Sequence, residues 1–222
     1  MDAPTQPVVR VSWHQAVAFC RWLSEQTGET FTLPAEAQWE WACRAGTATP
    51  LWYGGLDADF AKVANLADHS LRFVDTFGWG LPSGAVPPWR PAIETVNDGH
   101  RVTAPVGSYK PNHWGLHDMH GNVSEWTLSE YRPYPYRDGG PTGAKGVGLQ
   151  VTGSEFQVPG SPITHHASRT TRRVVRGGSF YDRPMRARST WRLAYPPWQR
   201  VFDVGFRVVA LPQQARTGAH SQ

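Results

Sequence analysis

A short apolar run at residues 8–11 opens the chain and leads into Ser12. From there the spacing turns helical. Ala16, Phe19, Cys20 and Leu23 recur at i, i+3, i+4 and i+7, which is the stripe of an amphipathic helix. Ser12 followed three residues later by Gln15 reads as a capping box, and Gly28 can close the helix. A second helix is predicted after Leu33 and Pro34, because proline suits a first helical turn, where its missing N–H is not needed. Ala37, Trp41 and Ala45 give that helix an apolar stripe, with Trp39 close by, and Gly46 ends it.

Beyond residue 47 the helical pattern fades and short alternating runs take over. Strands are expected at 104–109, 174–176 and 204–209. Residues 132–171 read as a long excursion rich in Pro, Gly, Ser and Thr, and the segment after Pro212 as a polar, frayed tail. Two helices in front of a loop-rich, mostly antiparallel β body make the fold class α+β.

Composition sharpens this picture. The 222 residues are 40% apolar and 18% charged, the balance of one globular domain. Its expected extent is residues 1–211, with 212–222 as tail. Eleven tryptophans suggest a core held by a few large anchors, each needing a partner for its N–H. The 19 Pro and 22 Gly put much of the backbone in turns. No apolar run reaches the roughly 18 residues of a membrane span. The start lacks a basic segment followed by an apolar one, so no signal peptide is read and the cytoplasm is the expected compartment unless the true start lies upstream. Cys20 and Cys43 read as small buried hydrophobes, with a disulfide between them as the alternative.

Charge is uneven. Between Arg169 and Arg207 stand ten Arg and two Asp, a net of +8. Such a stretch could meet nucleic acid or an anionic ligand. Internal pairing is the favoured reading, because the arginines alternate with Val, Trp and Phe, and nucleic acid is not expected as a partner.

Five blocks carry a family resemblance: VVRVSWHQAVAFCRWL, FTLPAEAQWEWACRAGT, TAPVGSYKPNHWGLHDMHGNVSEW, RVVRGGSF and RSTWR…VGFRVV. Together they touch residues 8 to 209. In this order they resemble the sulfatase-modifying factors, the family of the formylglycine-generating enzymes. The resemblance implies a C-type-lectin-like fold with little regular secondary structure. Two departures stand out. The family usually has further residues before the V-S-W block, forming opening strands. It also commonly has Thr where Ala35 stands here, a lost cap worth about 1 kcal/mol.

The resemblance further implies two structural calcium sites. The first maps to Asn65, the Leu66 carbonyl, Asp98 and the His100 carbonyl. The second maps to Asp118, the carbonyls of Gly121 and Val123, and Glu125. Carboxylates, amides and carbonyls are what a hard cation takes. An Asp and a Glu around a glycine turn also commonly just cap a helix. His113, His117 and His120 have ligand-like spacing for zinc or iron; packing and backbone bonding is the favoured reading. His165 and His166 lie in the excursion and are read as solvated.

The formylglycine-generating enzymes bind copper with two cysteines just after the Gly-Gly-Ser turn, and soft thiolates suit Cu(I). Here the turn is Gly177-Gly178-Ser179, and the following residues, 180–188, contain no cysteine. Met185 offers one soft ligand at best. No copper and no catalytic residue are therefore expected.

What remains is a cleft. The groove of the enzymes maps to Ser179, Arg192 and Asp203, the last a departure from the usual Asn. Tyr181, Asp182, Arg183, Trp191, Tyr195 and Trp198 cluster around these, and aromatic-plus-arginine surfaces make good recognition anchors. Trp191 and Trp198 could equally be core. Asp203 beside Arg192 is expected to make the groove self-neutralising. Three functions follow. The first is a non-catalytic module that binds a peptide, glycan or protein. The second is an oxidoreductase of the formylglycine-generating or sulfoxide-synthase type, acting with residues outside this chain. The third is a retroelement-diversified ligand-binding protein.

Overall fold

The computed structural model describes residues 3–73, 92–133 and 171–212. The tail after Pro212, most of the excursion and the His165–His166 pair lie outside them.

Helix α1 spans Trp13–Thr27. The Ser12 hydroxyl accepts from the Gln15 amide and the Gln15 side chain accepts from the Ser12 amide. Gly28, at φ 76°, donates its N–H to Ser24 O, so both ends are closed as the sequence indicates. Strand β1 (Thr30–Thr32) leads to helix α2 (Glu36–Arg44). Ala35 caps α2 without a side-chain bond; its own amide donates to Gln38, and the Glu36 amide donates to Ser129 Oγ from across the fold.

Of the stripe expected on α2, only Ala45, at its C-cap, is buried. Trp41 is 69% exposed and Ala37 is exposed, while Glu36, Trp39 and Cys43 turn inward. Two acids on the apolar side of a helix are tolerable only when paired, and distant arginines provide that pairing. Phe19, likewise counted into the α1 stripe, is 41% exposed.

A four-stranded sheet forms the body, in the order β4 (Leu193–Tyr195), β3 (Arg173–Arg176), β2 (Ser124–Glu130), β5 (Val204–Phe206). The β2–β3 and β3–β4 pairs are antiparallel, whereas β2–β5 is parallel, so the body is mixed. Strand β6 (Val209–Leu211) pairs antiparallel with β1. Residues 104–109, expected as a strand, form a turn: Gly107 has φ 76° and Ser108 N–H donates to Pro105 O. One-turn helix α3 (Pro184–Ala187) follows β3.

Tryptophans anchor the core. Trp126 packs with Ala16, Cys20, Leu33, Val175 and Val204 and donates to Val11 O. Trp39 packs on Cys43 and Met119 and donates to Glu125. Both of these rings thus carry their N–H to an acceptor, whereas the buried Trp191 Nε1 has none among the described residues. Both cysteines are free and buried, with no disulfide between them. Among the described residues no helix is long and apolar enough to cross a membrane.

Candidate functional site

The first oxygen set gathers around a bridge between Asn65 and Gly121. Asp98 accepts from the Leu66 amide at 3.1 Å and from the His100 amide at 2.9 Å, so Asn65, Leu66, Asp98 and His100 do come together. Asn65 is buried, and its amide nitrogen donates to Val102 O and Asn122. Its Oδ1 has no hydrogen-bond partner among the described residues. Burial, with Asp68 as a neighbouring charge, pushes the Asp98 carboxyl up to about 7. Asp68 and Ser70 belong to the same cluster, and the sequence reading missed both.

The second set sits on the turn after Leu116, where Asp118, Gly121 and Asn122 have φ of 55°, 79° and 59°. Asp118 accepts from the Gly107 amide through Oδ2, while its buried Oδ1 has no hydrogen-bond partner among the described residues. A cavity of about 490 Å³ opens here, lined by Asp118, Val123, Glu125 and Arg207 together with Pro7 and Val8. Glu125 is already engaged, by a two-pronged Arg207 pair and the Trp39 N–H. Burial raises the Asp118 carboxyl.

Among the described residues no group of three or more His, Cys, Asp or Glu gathers that could hold a metal ion, so a cation at either set would rest largely on amide and carbonyl oxygens. A buried acceptor without a donor is uncommon and calls for a cause, and each set holds one such oxygen, from a ligand type that hard cations favour. Asn65, Asp98 and the Leu66 and His100 carbonyls would hold one ion; Asp118, Glu125 and the Gly121 and Val123 carbonyls would hold the other. Arg207 offsets part of the charge in the second.

The residues expected to line the cleft gather around the Gly-Gly-Ser turn that ends β3. Gly178 has φ 70°, and a Cβ there would lie 2.9 Å from Ala187 Cα, so α3 closes on the turn only because glycine is present. Ser179 is fully buried. Its hydroxyl lies 2.7 Å from Asp203 Oδ2 and 3.2 Å from Asp182 Oδ2. Burial, and then their mutual repulsion in the case of Asp203, raises both carboxyls. Tyr181 packs edge-on against Phe202, Tyr195 against Trp126, and Trp191 lies under Arg186 and Arg188. Trp198 is 66% exposed, not core, and Arg183 is exposed.

One expectation is overturned. Arg192 does not sit beside Asp203 as its partner; it grips Glu36 with Nε and Nη2 and donates to Arg132 O. Asp203 is therefore not neutralised by Arg192, while Asp182 lies 3.7 Å from the exposed Arg186. Two further arginines turn inward, while Arg172, Arg183, Arg186 and Arg200 are exposed. Arg176, with its side chain wholly buried, meets Glu36, Glu40, Ser189 O and Trp191 O, and Arg173 donates to Leu128 O.

The family described as the sulfatase-modifying factor enzyme 1-like domain matches residues 1–211. The chain belongs to this family. It is 32% identical over 188 residues to a formylglycine-generating enzyme of Streptomyces coelicolor, covering 80% of this chain and 43% of the relative. It is also 32% identical over 128 residues to the inactive C-alpha-formylglycine-generating enzyme 2 of Mus musculus, covering 57% of this chain and 33% of that protein. The solved structure of PvdO from Pseudomonas aeruginosa superposes with a TM-score of 0.62 at 26% identity, over 95% of this chain and 64% of that one. The chain thus spans less than half the length of these two curated relatives.

In this sulfatase-modifying-factor domain the segment after the Gly-Gly-Ser turn carries Tyr181, Asp182 and α3, with no thiol. Cys43 lies elsewhere, against His120, Ser189 and Met119 O, and burial pushes its thiol up to about 12. The three histidines are dispersed by their partners. His120 bonds Ala187 O through Nδ1 and accepts from the Trp52 amide through Nε2. Burial holds it neutral, down to about 4. His117 bonds Tyr109 O, and His113 packs on Trp52.

Proposed function

We propose that this domain is a non-catalytic, calcium-supported binding module whose cleft takes a peptide, glycan or protein ligand. The observation that carries this reading is the floor of the cleft. The copper-binding members present thiols just after this turn, whereas residues 180–188 here hold none, and the turn's own serine hydroxyl meets two carboxylates. Oxygens of that kind do not hold Cu(I), and the two cysteines of the sequence, Cys20 and Cys43, stand in α1 and α2, not after the turn. The rim keeps features suited to recognition: exposed Trp198 and Phe202, and half-buried Tyr181 and Trp191. The likeness to a mouse relative whose own name marks it inactive supports the same direction. Calcium at the two oxygen sets would stiffen the loops behind the cleft.

A second reading is an oxidoreductase completed by residues outside this chain, favoured by the 32% identity to a formylglycine-generating enzyme of which the chain spans 43%. The test is a peptide and glycan array probed with the calcium-loaded protein and with Tyr181→Ala/Trp198→Ala. Micromolar hits lost in the double variant support the module. Hits that persist unchanged in it place recognition elsewhere and refute the cleft reading.

A further inference from the structure

Asp68 is fully buried, yet the sequence reading gives it no role. The groups that hold it are dipoles: Ser70 N–H and Oγ–H reach Oδ1 at 2.8 and 2.6 Å, and the Asp98 N–H reaches Oδ2. A second carboxylate, Asp98, is therefore anchored on the first through its own backbone. Two buried acids side by side are costly without a nearby positive charge.

One buried oxygen points the same way. Asn65 Oδ1 has no hydrogen-bond partner among the described residues. The Ser70 hydroxyl lies 2.6 Å from both Asp68 Oδ1 and His100 O, and Asp68 Oδ1 also accepts from the Ser70 N–H at 2.8 Å, so Ser70 ties the His100 carbonyl to Asp68. A cation on Asn65 Oδ1 and the His100 carbonyl would meet the unpaired acceptor and offset the two carboxylates.

We propose that Asp68 is the positioning residue of the first calcium site, supplying a second buried negative charge and fixing the His100 carbonyl and the Asp98 loop through Ser70 and the Asp98 amide. This rests on the calcium reading above. Charge count and rigidity set calcium affinity, and loss of such an outer partner typically weakens metal binding by about 10–100-fold.

The test is calcium titration against a chromophoric chelator on wild type, Asp68→Asn, Ser70→Ala and Asp98→Asn, with folding checked by circular dichroism. Asp98→Asn should abolish one binding step of the wild-type isotherm. Asp68→Asn should weaken that same step about 10–100-fold and leave any other step unchanged. Ser70→Ala removes a single hydroxyl and stands in if Asp68→Asn does not fold; it should weaken the step about 5-fold. Unchanged affinity in the folded Asp68→Asn variant overturns the proposal, as does unchanged affinity in Ser70→Ala if Asp68→Asn does not fold. A wild-type isotherm untouched by Asp98→Asn removes the calcium reading itself, and the proposal with it.

Discussion

Glu36→Gln is the perturbation that probes the scaffold most sharply. Glu36 is 8% exposed and accepts from Arg192 Nε and Nη2 and from Arg176 Nη1. Glutamine keeps the volume and removes the charge. Arg176, whose side chain is wholly buried, then keeps only the half-buried Glu40 as counter-charge. Breaking a buried pair costs about 3–5 kcal/mol, because the partner charge stays in place. At about 2–4 °C per kcal/mol for a domain of this size, the melting temperature should fall by about 6–20 °C. Urea unfolding with an unchanged slope would assign the loss to stability and not to a change of the unfolded state. A loss below about 1 kcal/mol, the worth of an exposed ion pair, would refute the argument that this network is desolvated.

Two other outcomes follow. A Cβ on Gly121 would lie 2.1 Å from Asn65 O at a φ of 79°, so Gly121→Ala should cost at least about 2 kcal/mol and abolish stabilisation by calcium; a calcium-dependent melt like that of wild type would contradict it. In chelator, Asp98 is pushed up to about 7, and Asp118, Asp182 and Asp203 are also raised, all mainly by burial. A carboxyl whose folded pKa exceeds its unfolded one contributes stability that is present below about pH 4 and lost as pH rises through the folded value. His120 and His14, lowered by burial, oppose this only below about pH 6.5, so the chelated protein should melt lower at about pH 8 than at about pH 6.5, as scanning calorimetry would show; the opposite slope would refute it.

Helix α1 was legible because everything that defines it is local: the Ser12–Gln15 box, the apolar spacing and Gly28. The face of α2 was not. Glu36 and Glu40 point inward because of Arg176 and Arg192, 136 to 156 residues away, and no local pattern announces such partners. Strand β2 escaped notice for a related reason. It starts fully buried on both faces, with Glu125 held by Arg207 and Trp39, so it shows no simple alternation. The two oxygen sets and the membership of Ser179 and Asp203 in one groove were reached through the family motifs, not through spacing, and the contact between those two residues was seen only in the fold. Asp68 belongs to none of those motifs, and only the fold shows that Asp98 and Ser70 lean on it.

The central claim is that this cleft binds without oxidising. The direct measurement is to incubate the calcium-loaded protein with Cu(I), dioxygen and a cysteine-containing peptide, and to follow aldehyde formation by mass spectrometry. The account predicts an unmodified peptide cysteine and no Cu(I) held at the Ser179 turn. Aldehyde formed in proportion to protein, with one Cu(I) bound per chain, would contradict it.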